Sequence, residues 1–230
     1  FLLFSAVVLL FYKSTQVASQ NKLWTGMAKE TAHQIGTPLS SLIGWTELLK
    51  IEAVNPEYIS EIEKDIKRLE TITDRFSKIG SKPLLETSNI VSATTESFNY
   101  LKARNSKLII FEMKAPETEI LVALNELYSW AIENLVKNGI DAMKGEGRIS
   151  VSLESTETMV LIKVKDSGKG MTKKLFKKVF ETGFTSKKRG WGLGLSLSKR
   201  IIEEYHNGKI KVLRSEAGVG TTMQISLKIL

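Results

Sequence analysis

The chain has 230 residues, 42% hydrophobic and 25% charged, with 33 Lys and Arg against 25 Asp and Glu for a net charge of +8. This is the composition of folded protein rather than of a disordered tail, and the length admits one sizeable domain or two small ones. The lack of Cys excludes disulfides, thiol catalysis and Cys-ligated metals, while the basic balance suits nucleic acid, an anionic membrane or anionic ligands such as nucleotides without choosing among them.

Because the chain starts on Phe1 rather than Met, it reads as a fragment or a processed product. Phe1 to Tyr12 is FLLFSAVVLLFY, free of charge. A helix of that length rises about 18 Å against about 30 Å of bilayer hydrocarbon, so it does not span alone. With Lys13, Lys22 and Lys29 behind it, residues 1–12 are expected to be the cytoplasmic end of a transmembrane helix, with residues 13–22 a linker on the positive-inside side. An apolar coiled-coil or core helix is the alternative.

Residues 23–80 carry helical spacing. Leu23, Met27, Ile35, Leu39, Leu42 and Leu49 form one stripe, and Ile62, Ile66, Leu69, Ile72, Phe76 and Ile79 a second. Asn55-Pro56 between them predicts a turn, with Pro in the first turn of the next helix. A lone hairpin cannot bury both stripes, so a dimeric four-helix bundle is the economical solution. Along the first predicted helix stands His33-Gln34-Ile35-Gly36-Thr37-Pro38-Leu39. Proline inside a helix costs about 3 kcal/mol, and a kink beside a reactive side chain would justify it. His33 lies off the apolar stripe, Glu30 and Thr37 share its face, and a neutral imidazole is nucleophilic near neutral pH. Taken alone, a helical His is a surface or core residue.

Gly80-Ser81-Lys82-Pro83 predicts a boundary, and residues 84–230 a second domain. Its periodicity predicts helices over 89–103, 124–143 and 193–205, and strands over 108–113, 149–153, 160–164, 210–213 and 223–227. Together these make an α+β sandwich with helices over one mixed sheet. On the long helix Asn134 and Asn138 project from one face, and amide oxygens are hard ligands suited to Mg²⁺. Asp166-Ser167-Gly168-Lys169-Gly170 follows a strand, where a carboxylate can accept the exocyclic amine of adenine and the glycines permit close approach. Gly190-Trp191-Gly192-Leu193-Gly194-Leu195 opens the last helix after Lys187, Lys188 and Arg189, a setting for phosphate. It is neither a Rossmann fingerprint nor a P-loop. Each motif has a bland reading: two surface asparagines, a turn with an Asp, a glycine-rich turn.

In this order the motifs resemble the sensor histidine kinases of two-component systems, from about Leu23 to the C-terminus. His33 to Leu39 resembles the phospho-acceptor box, Asn134 to Asn138 the asparagine box, and Asp166 to Gly170 the first glycine box. Phe176, Phe180 and Phe184-Thr185-Ser186-Lys187 resemble the phenylalanine box of the ATP lid, Gly190 to Leu195 the second glycine box, and Gly218 to Thr221 the last. The resemblance implies a dimerisation and histidine-phosphotransfer hairpin, then a Bergerat-type (GHKL) ATP-binding domain. It implies ATP and Mg²⁺ as cofactors, with Asn138 the metal ligand and Asp166 holding adenine. Asn134, Lys137, Asp141, Gly168, Gly170, Thr185, Lys187, Gly190, Gly192, Leu193, Gly194, Leu195 and Thr221 are the other nucleotide-site candidates. His33 would be the phospho-acceptor, Thr37 a candidate for dephosphorylating the partner. The implied partners are a second copy and a receiver domain carrying an acidic site, at the cytoplasmic face of the bacterial inner membrane; nucleic acid is not expected, since no recognition helix is evident.

Related ATPases of this fold place a water-activating Glu where Asn134 stands, and an amide cannot act as that base, which disfavours hydrolysis. A Bergerat ATPase and a degenerate, non-catalytic scaffold are the rival readings. Gln34 departs from the family's acidic residue after the His. Either Glu30 substitutes for it, or the base is dispensable, or autokinase activity is low. Gly36 replaces the usual Arg, and Trp191 a usually small residue.

Overall fold

The computed structural model describes residues 4, 5, 7, 8, 11, 15, 32, 35, 36, 38–52, 54–79, 84–187 and 192–230. It divides into two compact units, Phe1–Pro83 and Leu84–Leu230. Among the described residues, no helix is long and apolar enough to cross a membrane.

In the first unit, helix α1 (residues 38–51) is followed by α2 (Pro56–Ile79). Asn55 Oδ1 accepts the Glu57 N–H at 2.9 Å, which satisfies one of the donors left open where a helix begins. Pro56 fits the first turn because it has no N–H to satisfy. Lys50 Nζ pairs with Glu63 across the hairpin at 2.7 Å. Ile59, Ile66 and Ile79 on α2 are buried, whereas Ile62, Leu69 and Ile72 on the same stripe, and Leu42, Trp45 and Leu48 on α1, remain exposed.

The second unit is a helix layer on a mixed sheet. Strand β1 (Glu86–Asn89) pairs antiparallel with β3 (Leu121–Leu124) as a two-stranded sheet. Between them run α3 (Ile90–Lys102) and β2 (Ile109–Lys114). Asn89 caps α3 by accepting the Val91 N–H at 3.0 Å. Helix α4 (Leu127–Met143) then leads to β4 (Gly147–Ser155) and β5 (Met159–Asp166). The short α5 (Leu175–Lys178), α6 (Gly194–Arg200) with a π-helical turn over Ile201–Tyr205, and the hairpin β6 (Lys209–Glu216) and β7 (Gly220–Lys228) complete it.

The five-stranded sheet has the order β2-β4-β5-β7-β6, parallel only between β2 and β4. That pair needs a crossover, and α4 supplies it. Phe98, Ile132, Val136, Ile149, Ile162, Ile201 and Ile225 are fully or almost fully buried between the layers. Each such side chain contributes about 1.5–3 kcal/mol by leaving water.

Helices over a mixed sheet are the expected fold class. Three details differ from the expectations. The helix expected from residue 124 begins at Leu127, because Leu124 closes β3 and Asn125 Oδ1 accepts the Leu127 N–H at 2.9 Å. The helix expected over 193–205 is α only to Arg200, and its last turn widens to π. The short elements β1, β3 and α5 had no expectation.

Candidate nucleotide site on the second unit

Helix α4 turns Asn134, Lys137, Asn138 and Asp141 to one face, the i, i+3, i+4, i+7 set of a 3.6-residue period. Glu133 does not line the cleft: it is buried and pairs with Lys137 Nζ at 3.4 Å. Strand β5 ends on Asp166, which is buried with its Oδ1 accepting the N–H groups of Gly168 at 2.8 Å and Thr221 at 3.3 Å. Burial pushes the Asp166 pKa up, and those two bonds partly offset it. Both bonds use Oδ1, so Oδ2 is left to receive a donor from outside the chain.

Beyond Asp166 the backbone is held close to its neighbours. Lys169 N–H donates to the Ala142 carbonyl at 3.1 Å, and Gly218 N–H to the Lys169 carbonyl at 2.8 Å. Gly170 sits at φ +62, and a Cβ there would lie 1.9 Å from the Glu216 carbonyl oxygen, so only glycine fits. The lid leaves this floor as α5 and residues 179–187. Lys169 Nζ donates to Ser186 Oγ at 2.9 Å, and Lys187 Nζ to Asn138 Oδ1 at 3.0 Å. Gly183 N–H meets the Gly192 carbonyl at 3.1 Å. Asn134 Nδ2 donates to the Gly194 carbonyl at 3.4 Å, which sets the second glycine box against α4.

These elements enclose a cleft of about 440 Å³. Asn134, Lys137, Asn138, Asp141, Asp166, Gly170, Thr185, Lys187, Gly192, Leu193, Gly194, Leu195 and Thr221 line it. Gly168 lies behind the wall against Ala142. His33, Glu30, Gln34, Thr37 and Gly190 lie outside the described residues. Sequence reasoning passed over Leu135, Ala142, Lys169, Met171, Val179, Ser186 and Met223, which also line the cleft. Leu135, Lys169 and Ser186 stand inside motifs already singled out; the other apolar walls come from separate elements and share no local signature.

An apolar slot with a buried carboxylate, joined to amides and lysines, matches a heteroaromatic base joined to phosphates. Among the described residues no cluster of three or more His, Cys, Asp or Glu could hold a metal. The nearest hard donors are Asn138 Oδ1 and Asp141 Oδ2, which both accept from the Lys187 ammonium. A pair of oxygens already holding one cation fits Mg²⁺, which takes few protein ligands and fills its other positions with phosphate oxygens and water.

Comparison with known proteins now decides the family. Residues 24–82 match the His Kinase A (phospho-acceptor) domain, and residues 126–230 the histidine kinase-, DNA gyrase B-, and HSP90-like ATPase family. The chain belongs to the sensor histidine kinases. Sporulation kinase E of Bacillus subtilis (strain 168) is 34% identical over 88% of this kinase chain, which spans 28% of that relative's length. The solved catalytic domain of histidine kinase ThkA is 27% identical with a TM-score of 0.57, covering 63% of this chain and 95% of that one. Histidine kinase ThkA in complex with response regulator protein TrrA has a TM-score of 0.60 at 25% identity, covering 96% of this chain and 66% of that one.

Proposed function

We propose that this chain is the core of an ATP-dependent protein-histidine kinase that phosphorylates His33 and passes the phosphoryl group to an Asp of a response regulator. The observation that carries the reading is the cleft shared by Asp166, the asparagine face of α4 and a lid held through Lys169 and Lys187. Asp166 would accept the adenine amine at Oδ2, with Met171, Val179 and Met223 beside the base. Lys137, Lys187 and the 192–195 backbone would hold the phosphates. Asn138 would ligate Mg²⁺. A metal held there would supply positive charge against the phosphate oxygens during phosphoryl transfer. Asn134 bonds Gly194 and carries no proton acceptor, which supports transfer to the hairpin over transfer to water.

The apolar residues exposed on α1 and α2 support a homodimer built on the hairpin. The response-regulator complex of a similar kinase supports a receiver-domain partner, with Thr37, four residues after His33 in the sequence, the candidate for hydrolysing the partner's phospho-aspartate. Membrane attachment on the cytoplasmic side rests on the uncharged run of residues 1–12 and the lysines behind it.

Incubation with γ-labelled ATP tests the central claim. An acid-labile label on the protein, lost in His33→Ala while nucleotide binding remains, is expected. A label of wild-type extent in that variant removes His33 as acceptor, and free phosphate without protein label makes the chain an ATPase.

A further inference from the structure

The lid residue Lys187 rests its ammonium on α4. Lys187 Nζ donates to Asn138 Oδ1 at 3.0 Å and to Asp141 Oδ2 at 2.5 Å. These oxygens come from one face of the helix and converge on a single point. Across the cleft, Lys169 Nζ holds Ser186 Oγ at 2.9 Å. Residues 183–187 are therefore tied to both walls.

A neutral amide and a carboxylate are hard oxygen donors, the pair a divalent cation would use beside phosphate oxygens. An ammonium on Asn138 Oδ1 and a metal ion on the same oxygen repel each other at close range, so one excludes the other. We propose that Asn138 and Asp141 form a single cation seat for which the lid's Lys187 and the divalent metal of the nucleotide compete. Entry of the metal–nucleotide then releases the lid from α4. This rests on the cleft being a nucleotide site. Asp141 becomes a positioning residue for the metal, and Lys187 the cation it exchanges. The side chains of the pair are 42% and 52% exposed, and a contact this wet biases a segment only about two- to five-fold. That strength suits a lid that must open at each turnover.

Titrating Mg²⁺ against the full chain at fixed AMPPNP, a non-hydrolysable ATP analogue, tests the proposal through the half-saturating Mg²⁺ concentration. Lys187→Met removes the competitor and should lower that concentration about two- to five-fold. Asp141→Asn removes charge from the metal's side and should raise it. Opposite shifts mark a shared seat, because the partners of an ordinary surface ion pair would shift together or not at all. Shifts of one sign, or none, overturn the proposal. A wild-type chain that binds AMPPNP equally with and without Mg²⁺ overturns the cation seat alone, whereas one that fails to bind AMPPNP overturns the nucleotide reading and the proposal with it. Amide exchange of residues 183–187 without nucleotide gives an independent readout. Lys187→Met, which removes both bonds, should speed it most, Asp141→Asn less because the Asn138 bond remains, and the double variant no more than Lys187→Met; additive increases overturn the latch.

Discussion

Desolvation holds the Asp166 carboxyl above the ordinary carboxylate range, and the N–H groups of Gly168 and Thr221 only partly compensate. A raised folded pKa means stability that is fully present below the unfolded value and lost as pH rises through the folded one. At neutral pH the carboxylate is therefore a burden on the fold. Asp166→Asn keeps the shape and an Oδ1 acceptor without the charge. It is expected to melt above wild type at pH 7–8, with the gap closing as pH falls to about 3.9 and below. Its nucleotide affinity should fall by about 1–3 kcal/mol, since one partner of the adenine amine contact is lost. Thermal melts across pH, paired with calorimetry, check both; a variant less stable than wild type at pH 7.5 would contradict the burial account. Gly170→Ala is a second expectation at this scale: its Cβ would collide with the Glu216 carbonyl at a φ of +62, so a loss well above the ~1 kcal/mol of an ordinary loop change should appear in denaturant unfolding. Residues of this kind are readable in a sequence when spacing carries the message. Asn134, Asn138 and Asp141 share a helix face at fixed intervals, and Asp166 precedes glycines. Met171, Val179 and Met223 meet only after the chain has folded, and nothing local in the sequence marks them.

Elements announce themselves by length. The long α2, α4, β4 and β5 give several periods of pattern, whereas β1 and β3 span four residues each and give two alternations. Leu121 to Leu124 is apolar throughout and runs toward a helix that is also apolar, so Leu124 read as the start of α4 and the rest of the strand went unassigned. The break lies at Asn125, whose side chain bonds the Leu127 N–H as a turn residue does. The other end of the layer holds a buried imidazole. His206 Nε2 accepts the Asn125 N–H at 3.2 Å, so Nδ1 carries the proton and donates to the Ile201 carbonyl at 2.8 Å. That bond spans five residues and closes the π turn on which α6 ends, while the Tyr128 ring lies edge-on at 6.2 Å. Burial lowers the His206 pKa, with the Ile201 bond opposing. The unfolded chain then binds more protons between the folded value and about 6.5. Stability is complete above about 6.5 and is lost as pH falls below it. Melting temperatures should drop between pH 6.5 and 5 in wild type. His206→Gln should melt lower at pH 8 yet show a flatter profile over that window. Parallel profiles would mean that another group titrates there.

For the whole molecule the hairpin poses the largest unsettled energy. Its apolar pattern was plain in the sequence, but pattern alone does not say how much of a stripe its own partner helix covers. Within the unit Phe1–Pro83, Ile59 and Ile66 are buried, whereas Leu69 is left 37% exposed and Leu48 51%. Apolar area of this kind, repeated at helical spacing on both helices, is stabilised when a second copy supplies the facing stripe. In a two-fold dimer each substitution acts twice, because the same patch occurs on both copies. Association can bury only the remaining exposed third of Leu69, so the main cost of a charge there is desolvating a carboxylate in each protomer, several kcal/mol per ion, which together exceed about 3 kcal/mol of association. That is roughly a hundred-fold or more in dissociation constant. Leu69→Glu is thus expected to sediment as a monomer at micromolar concentration where wild type is a dimer. Nucleotide binding should be unaffected, since every residue of the cleft belongs to the unit Leu84–Leu230. Labelling of His33 from ATP should fall in step with the dimer fraction if the hairpin works as a pair, and a monomer that labels at the wild-type rate would separate dimerisation from phosphoryl transfer. A variant that remains dimeric would place the seam elsewhere on the chain and leave the exposed stripe of α2 without its explanation.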